Sequence, residues 1–381
     1  VNNENKSANF NGNLYAEIEP IERLKLRTVF GAVYNSSEYR SFSPLYHFSI
    51  YSYNDTRTGV SQNMNHGLGM TWTNTATYDW RLNDHAFNAL LGMESYQYQG
   101  TYVGAGNGIL KEGFDSWKYA YINNGTASSS TDGLSASGNP HDDSRSVSYF
   151  GRLGWNWKET YMVNATLRAD GSSQFAKGKR FGYFPSISAG WTLTNEAFME
   201  ETQSWLDFLK LRISWGQVGS QNIASYQYLA PMKNTNTHYL FGTGGYDDEN
   251  AAKELANNWG AYPNRLANEN VTWETSEQAN IGLDAYMLNS RLGVNLDLYT
   301  KNTKDWLVKA PILATVGAGA PFINGGSVKN SGFEMALTWN DRINKDFSYN
   351  IGVNGAYNKN KAGEIPTEDG IIHGQTNQLY D

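Results

Sequence analysis

The sequence predicts an all-β chain, about twelve strands forming part of the wall of a large antiparallel transmembrane β-barrel. Three observations lead there: a composition of strand and turn formers, repeated segments of about ten residues with two unlike faces, and connections that alternate between tight and long.

Composition comes first because it excludes most alternatives. Among 381 residues there are 25 Tyr, 12 Trp and 38 Gly but only 9 Pro and no Cys. Aromatic and small polar residues favour strands and turns over helices. A formal charge of −7 argues against a general nucleic-acid binder, which must neutralise phosphates. The absence of Cys removes thiol nucleophiles, disulfides and cysteine-metal sites. No run of 18 apolar residues is present, so a helical membrane span is not expected. A mean hydropathy of −0.57 leaves a barrel open, because a barrel carries its membrane signal in alternation. Val1-Asn2-Asn3-Glu4 opens without a signal peptide, as expected of a processed chain or a fragment.

Taken in order, the two-faced segments are 13–19, 24–35, 66–80, 85–99, 146–157, 160–170, 181–194, 207–218, 274–288, 291–303, 330–340 and 346–359. Tyr161, Val163, Ala165 and Leu167 alternate with Met162, Asn164, Thr166 and Arg168. Leu209, Leu211, Ile213 and Trp215 alternate with Lys210, Arg212 and Ser214. Ile281, Leu283, Ala285 and Met287 interleave with Asn280, Gly282, Asp284 and Tyr286, and Leu292, Val294, Leu296 and Leu298 with Gly293, Asn295, Asp297 and Tyr299. Phe333, Met335, Leu337 and Trp339 repeat the pattern.

The connections at 20–23, 81–84, 158–159, 289–290 and 341–345 are short, whereas 36–65, 100–145, 219–273 and 304–329 are long. Two depart from the rule, a short one at 171–180 and a longer one at 195–206. Short periplasmic turns opposite long extracellular loops are the habit of outer-membrane barrels; a soluble sandwich, the competing architecture, has no reason to segregate its loops. Arg152, Arg168, Lys210, Arg212, Asp284 and Asp297 all fall opposite the apolar set, so the polar face is expected to line the lumen. Trp72, Trp80, Trp155, Trp157, Trp191, Trp215 and Trp339 fall on the apolar face, several near strand ends, as interfacial girdles require.

Five stretches carry a family resemblance. They are Tyr161-Met-Val-Asn-Ala-Thr-Leu-Arg-Ala-Asp-Gly-Ser-Ser-Gln-Phe, Gly182-Tyr-Phe-Pro-Ser-Ile-Ser-Ala-Gly-Trp, Leu209-Lys-Leu-Arg-Ile-Ser-Trp-Gly-Gln-Val-Gly, Trp273-Glu-Thr-Ser-Glu-Gln-Ala-Asn-Ile-Gly-Leu-Asp and Gly326-Ser-Val-Lys-Asn-Ser-Gly-Phe-Glu. In this order they resemble the barrel of the SusC/RagA family of TonB-dependent outer-membrane transporters. The resemblance implies a barrel of about 22 strands with a plugged lumen. On that basis residues 1–381 are expected to be a partial barrel domain, without the plug domain, TonB-contacting segment and terminal strands. It further implies the outer membrane of a Gram-negative bacterium, import of oligosaccharides or peptides, energy from the TonB complex, a SusD-like surface lipoprotein as partner, and a dimer of such pairs. A passive porin and a secreted β-rich carbohydrate-active enzyme are the competing functions.

Candidate chemistry is sparse, and no enzyme is expected. There is no G-x-S-x-G, H-E-x-x-H or Walker loop, and His47, His66, His85, His141, His238 and His373 lack metal-ligand spacing. Glu94, Asp170 and Asp284 are carboxylates of the polar face, the type an enzyme would pair across a cleft. Asp247, Asp248 and Glu249 offer hard oxygens suited to calcium, and Asp142-Asp143 form a weaker pair; neither has EF-hand spacing, and no other cofactor is implied. Gly104-Ala-Gly-Asn-Gly lacks the following Lys and helix of a phosphate loop and reads as a flexible loop, as does Ser128 to Gly138. Substrate contacts are expected from loop and upper-lumen aromatics: Trp117, Tyr119, Tyr121, Tyr226, Tyr228, Tyr239 and Trp259, residues that could equally pack against other loops or the partner.

The topology is checked by surface labelling of single cysteines in whole cells, since the native chain has none. Cysteine at position 240 is expected to label and cysteine at 289 to stay protected; the opposite pattern inverts the assignment.

Overall fold

The computed structural model describes residues 2–54, 56–140, 143–234 and 260–367, with only the backbone described at 139, 140 and 314. Twelve long antiparallel strands follow one another in chain order across one sheet: β1 (Asn2–Ile21), β2 (Leu24–Ser43), β3 (Gly59–Leu82), β4 (His85–Asn107), β5 (Ser144–Trp157), β6 (Tyr161–Ser172), β7 (Phe181–Thr192), β8 (Leu206–Ser220), β9 (Glu274–Met287), β10 (Leu292–Lys304), β11 (Val328–Arg342) and β12 (Ser348–Ala362). All twelve segments expected from alternation are present. The early strands are longer than expected: β1 begins at Asn2 rather than 13, β2 runs to Ser43 rather than 35, and β3 begins at Gly59 rather than 66. These extensions are mostly polar, with Phe10, Phe42 and Val60 among the exceptions, so pairing persists where regular alternation has ended.

Two compact units divide the chain, Val1–Ala76 with Gly92–Ser148, and Thr77–Leu91 with Tyr149–Asp381. In the first, β1 and β2 pair from Asn2↔Phe42 to Ile18↔Leu26, which brings Phe10 beside Tyr34, Leu14 beside Phe30 and Ile18 beside Leu26. Their turn places Arg23 at φ 72°, with its N–H on the Glu19 carboxylate at 2.7 Å. At the other end of these strands Phe42, Val60, Leu110 and Ala120 form a buried cluster against Trp117 and Ile122. The long segment after β4 is therefore folded back and ordered. Two loop expectations are corrected here. Gly104 to Asn107 belong to β4, and Ser135–Pro140 forms a short strand pairing with Thr101 to Gly106 of β4. Glycine suits that place because a Cβ at Gly104 would meet the Tyr102 and Asn63 side chains, and one at Gly106 the Ser135 hydroxyl.

The second unit has a continuous register that stacks side chains into rows. One apolar row reads Ile213–Ile281–Leu298–Phe333–Tyr357 across β8 to β12, and the next Leu211–Leu283–Leu296–Met335–Gly355. Leu209–Ala285–Val294–Leu337–Val353 and then Met287–Leu292–Trp339–Ile351 complete four apolar rows, spaced about 6.8 Å along the strands. Ile213, Ile281, Leu298, Phe333 and Tyr357 stay exposed, the reverse of a soluble core and the condition of a face that meets lipid.

Tight turns close the short-connection end. Lys158 and Glu159 both take positive φ, 50° and 56°, and Thr160 N–H donates to Trp157 O at 2.8 Å, as in a two-residue hairpin whose twist matches its strands. Along this end runs a chain of ring contacts: Tyr78 with Trp80, Trp80 with Phe87, Phe87 with His85, His85 with Trp155 and Trp157, Trp157 with Tyr161, and Tyr161 with Trp191. Three of the polar tips find partners: Trp155 Nε1 donates to His85 Nδ1 at 3.0 Å, while Tyr161 O–H and Trp191 Nε1–H converge on Glu196 Oε1 at 2.5 and 3.0 Å. Such amphipathic rings belong at a membrane interface. The longer connection noted at 195–206 is explained by two 3-10 turns, Leu193–Asn195 and Ala197–Ser204, which bring Glu196 under the rings.

Two outcomes are expected. Leu283→Arg or Leu296→Arg costs about 2–4 kcal/mol near the bilayer midplane and Asn280→Arg or Asn295→Arg far less, read as loss of the folded, heat-modifiable barrel. The bonds from Tyr161 and Trp191 hold the Glu196 carboxyl below its ordinary range. A depressed carboxylate contributes stability above its unfolded pKa and loses it as pH falls through the folded one. Glu196→Gln therefore flattens the fall in unfolding midpoint below about pH 4.5.

Candidate functional site

The polar face of β8 to β10 carries a three-strand ion network. Register sets Lys210 opposite Asp284, Arg212 opposite Gly282, Gly282 opposite Asp297 and Asp284 opposite Asn295. Gly282 supplies the room, since a Cβ there would lie 2.6 Å from Asp297 Oδ1 and 2.7 Å from the Arg212 guanidinium. Arg212 then grips Asp284 with both prongs, Nε to Oδ2 at 2.7 Å and Nη2 to Oδ1 at 2.9 Å, and reaches Asp297 Oδ2 at 3.2 Å. Asn295 Nδ2 adds a bond to Asp284 Oδ1 at 2.8 Å. A bidentate guanidinium fixes geometry better than a single ammonium could. Further along this face Arg168 Nε pairs with Asp170 at 2.6 Å and Arg152 donates to Asn88 at 3.3 Å; in the first unit Glu94 accepts from the Thr73 hydroxyl at 3.2 Å. The three carboxylates singled out in the sequence each have partners of their own.

Where the long connections return, the polar face is covered by a packed loop core. Phe175 and Val271 are fully buried with Phe184, Ile223 and Trp273, and Tyr228, Leu307 and Phe322 pack against them. Phe184 lies on the polar-face side of β7, in register with Arg168, and the Trp273 ring meets those of Phe175 and Phe184 at 5.3 and 5.6 Å. Trp273 Nε1 donates to Arg180 O at 2.8 Å, and Asn324 bridges Thr272 and Asp305. The short connection 171–180 is thus the floor of this core.

The sequence-nominated aromatics divide between sites. Trp117 and Tyr121 lie over the Arg40 guanidinium at 3.9 and 4.3 Å, a cation–π pair that gives them a structural partner. Tyr119 packs edge-on to Phe114 at 5.6 Å and remains exposed. Tyr226 is exposed beside Tyr228, which leans on the loop core. Arg265 holds that turn through bonds to Tyr226 O and Leu229 O, both 3.1 Å. Tyr239, Trp259, Asp247, Asp248 and Glu249 lie outside the described residues, as does Asp142. Among the described residues no group of three or more His, Asp or Glu could hold a metal ion. Sequence reasoning did not pick out Arg40, Asn324 or Glu196; each sits in an irregular segment or a strand extension where no periodicity points to it.

Comparison with known proteins accounts for this arrangement of a two-faced sheet, a charged inner face and loops packed over one end. The family model for a TonB dependent receptor-like β-barrel matches residues 2–378. The chain belongs to that family. A TonB-dependent receptor of Formosa agariphila is 27% identical over 372 residues, 97% of this chain and 34% of that protein. TonB-dependent receptor SusC of Bacteroides thetaiotaomicron is 34% identical over 228 residues, 58% of this chain and 21% of SusC. The solved RagAB peptide transporter superposes with a TM-score of 0.78 over 95% of this chain and 37% of its own, at 24% identity. The chain thus spans about a third of the length of the first of these relatives, and the SusC/RagA resemblance read from five motifs holds. These relatives are receptors and transporters rather than enzymes, and theirs is an outer-membrane family.

Breaking the Arg212 network tests its worth. Arg212→Ala is expected to destabilise the barrel by about 1–2 kcal/mol, a modest figure because the site is partly wetted, and Arg212→Lys by less. A double-mutant cycle with Asp284→Asn should give a coupling of about 1 kcal/mol; additivity contradicts a working ion pair.

Proposed function

We propose that this chain is barrel wall of an outer-membrane importer that takes oligosaccharides or peptides into the periplasm of a Gram-negative bacterium, driven by the TonB complex. The observation that carries the reading is the family match along the whole described sheet, joined to a sheet whose apolar rows suit lipid and whose opposite face is charged. A wall of this kind performs no bond chemistry. Its inward side chains hold water and substrate, and its loops select.

In the second unit, the packed core around Trp273 and the exposed Tyr226 support a loop end that presents aromatic and amide surface to a glycan or peptide; Tyr119 is an exposed aromatic of the first unit's own loop. Stacking on an aromatic face and hydrogen bonding to amides are what such polymers offer. A SusD-like surface lipoprotein would close this mouth, and the pair would double into a dimer. What supports this reading is the likeness to the TonB-dependent receptor SusC and to the solved RagAB peptide transporter.

Deletion of the full-length gene is expected to abolish growth on its oligosaccharide or peptide source. Complementation should restore growth only while TonB is present and the proton gradient is intact. Uptake that persists after the gradient is dissipated would identify a passive porin instead.

A further inference from the structure

We infer that the long-loop end of the apolar face on β9 to β12 binds the phosphate groups of a glycolipid in the outer leaflet. The inference rests on the outer-membrane reading proposed above.

The register places the chemistry. Directly beyond the row Ile281–Leu298–Phe333–Tyr357 comes Ala279–Thr300–Ser331–Lys359, and beyond that Glu277–Asn302–Lys329–Lys361, with Lys304 one step further on β10. All lie on the apolar side of the sheet, because two-residue steps from Leu298, Phe333 and Tyr357 lead to them without a break. Four ammonium groups thus share one band with a single carboxylate. Lys304 meets that carboxylate, Glu277, at 2.8 Å, and Trp215 Nε1 donates to its other oxygen at 2.9 Å. Lys329, Lys359 and Lys361 are exposed and make no ion pair among the described residues.

A basic band immediately above stacked aromatic and aliphatic side chains fits an amphiphile. Phe333 and Tyr357, with rings 6.0 Å apart, would lie against acyl chains. The lysines would lie against the charged headgroup at the same boundary where Trp215 presents its indole N–H. The surplus of positive charge is local. Within the first unit, by contrast, the basic groups of β1 and β2 are balanced: Lys6 and Arg40 each lie 3.6 Å from Glu4, and Glu38 adds a further acid. A soluble acidic partner would have no use for the apolar rows below, whereas a phosphorylated glycolipid satisfies both halves.

The test uses the full-length transporter in phosphatidylcholine nanodiscs with bis-phosphorylated lipid A, and lipid bound per protein is read by native mass spectrometry. Each lysine near a charged surface is worth about five-fold in affinity, so Lys329→Gln/Lys359→Gln/Lys361→Gln should weaken binding about 100-fold. The corresponding triple arginine variant and the polar-face control Lys301→Gln should bind as wild type does. Lipid A stripped of phosphate should not distinguish these proteins. Equal binding of lipid A by wild type and the glutamine triple overturns the inference, as does wild-type binding that ignores the phosphate. Loss of a co-purifying protein with lipid binding unchanged would also overturn it and make the band a protein dock. A wild-type protein that never gives a heat-modifiable band in the outer-membrane fraction would instead defeat the underlying reading.

Discussion

The constraint on which the rest depends is that a strand crossing hydrocarbon must satisfy every backbone N–H and C=O against a neighbour. Long antiparallel pairing in chain order meets it, and once the pairing register is fixed, period two assigns every side chain to one side or the other. With β9 held by its pairing to β8, a slip of one residue between β9 and β10 would turn Leu296 and Leu298 inward and Asp297 outward. The cost of those charges in lipid holds the register. The same register that hides the charges also assembles Arg212, Asp284, Asp297 and Asn295 into one network, so stability and inner-wall chemistry come from a single choice.

Both ends of the wall are finished by different means. At the short-connection end, a two-residue turn with positive φ at Lys158 and Glu159 brings the strands back at once, and rings from Tyr78 to Trp191 fill the boundary, with Trp155 bound to His85 and Tyr161 and Trp191 bound to Glu196. At the other end the strands outrun their alternation, and loops cover them with cores of their own, Phe42–Val60–Leu110–Ala120 in one unit and Phe175–Phe184–Ile223–Val271–Trp273 in the other. Tight turns at one end and long loops at the other are the habit of outer-membrane barrels.

The twelve strands were legible because alternation over ten residues is a signal imposed by lipid, and it ends where lipid ends. For that reason the sequence pattern of β1 and β2 is shorter than the strands themselves, and Gly104 to Asn107 resemble a loop although they are strand: in the mostly polar extensions neither face is required to be apolar. The polar-face charges were placed correctly by parity, yet their partners were not, because pairing Arg212 with Asp284 and Asp297 requires a register linking residues 72 and 85 positions apart. Trp117 and Tyr121 have the character of substrate-stacking aromatics in the sequence, and their contact with Arg40 depends on a loop folding back to β2, which no local pattern encodes. Glu277 and the lysines beyond Phe333 and Tyr357 became meaningful only as rows across several strands.

The most direct test of the two-faced wall is a spin-label accessibility scan along β9 and β10 in the full-length protein in lipid bilayers. Labels at 281, 283, 296 and 298 should show high collision with oxygen and low collision with a water-soluble nickel chelate, and labels at 280, 282, 295 and 297 the reverse. Accessibility that does not alternate, or alternates in the opposite phase, would contradict the account.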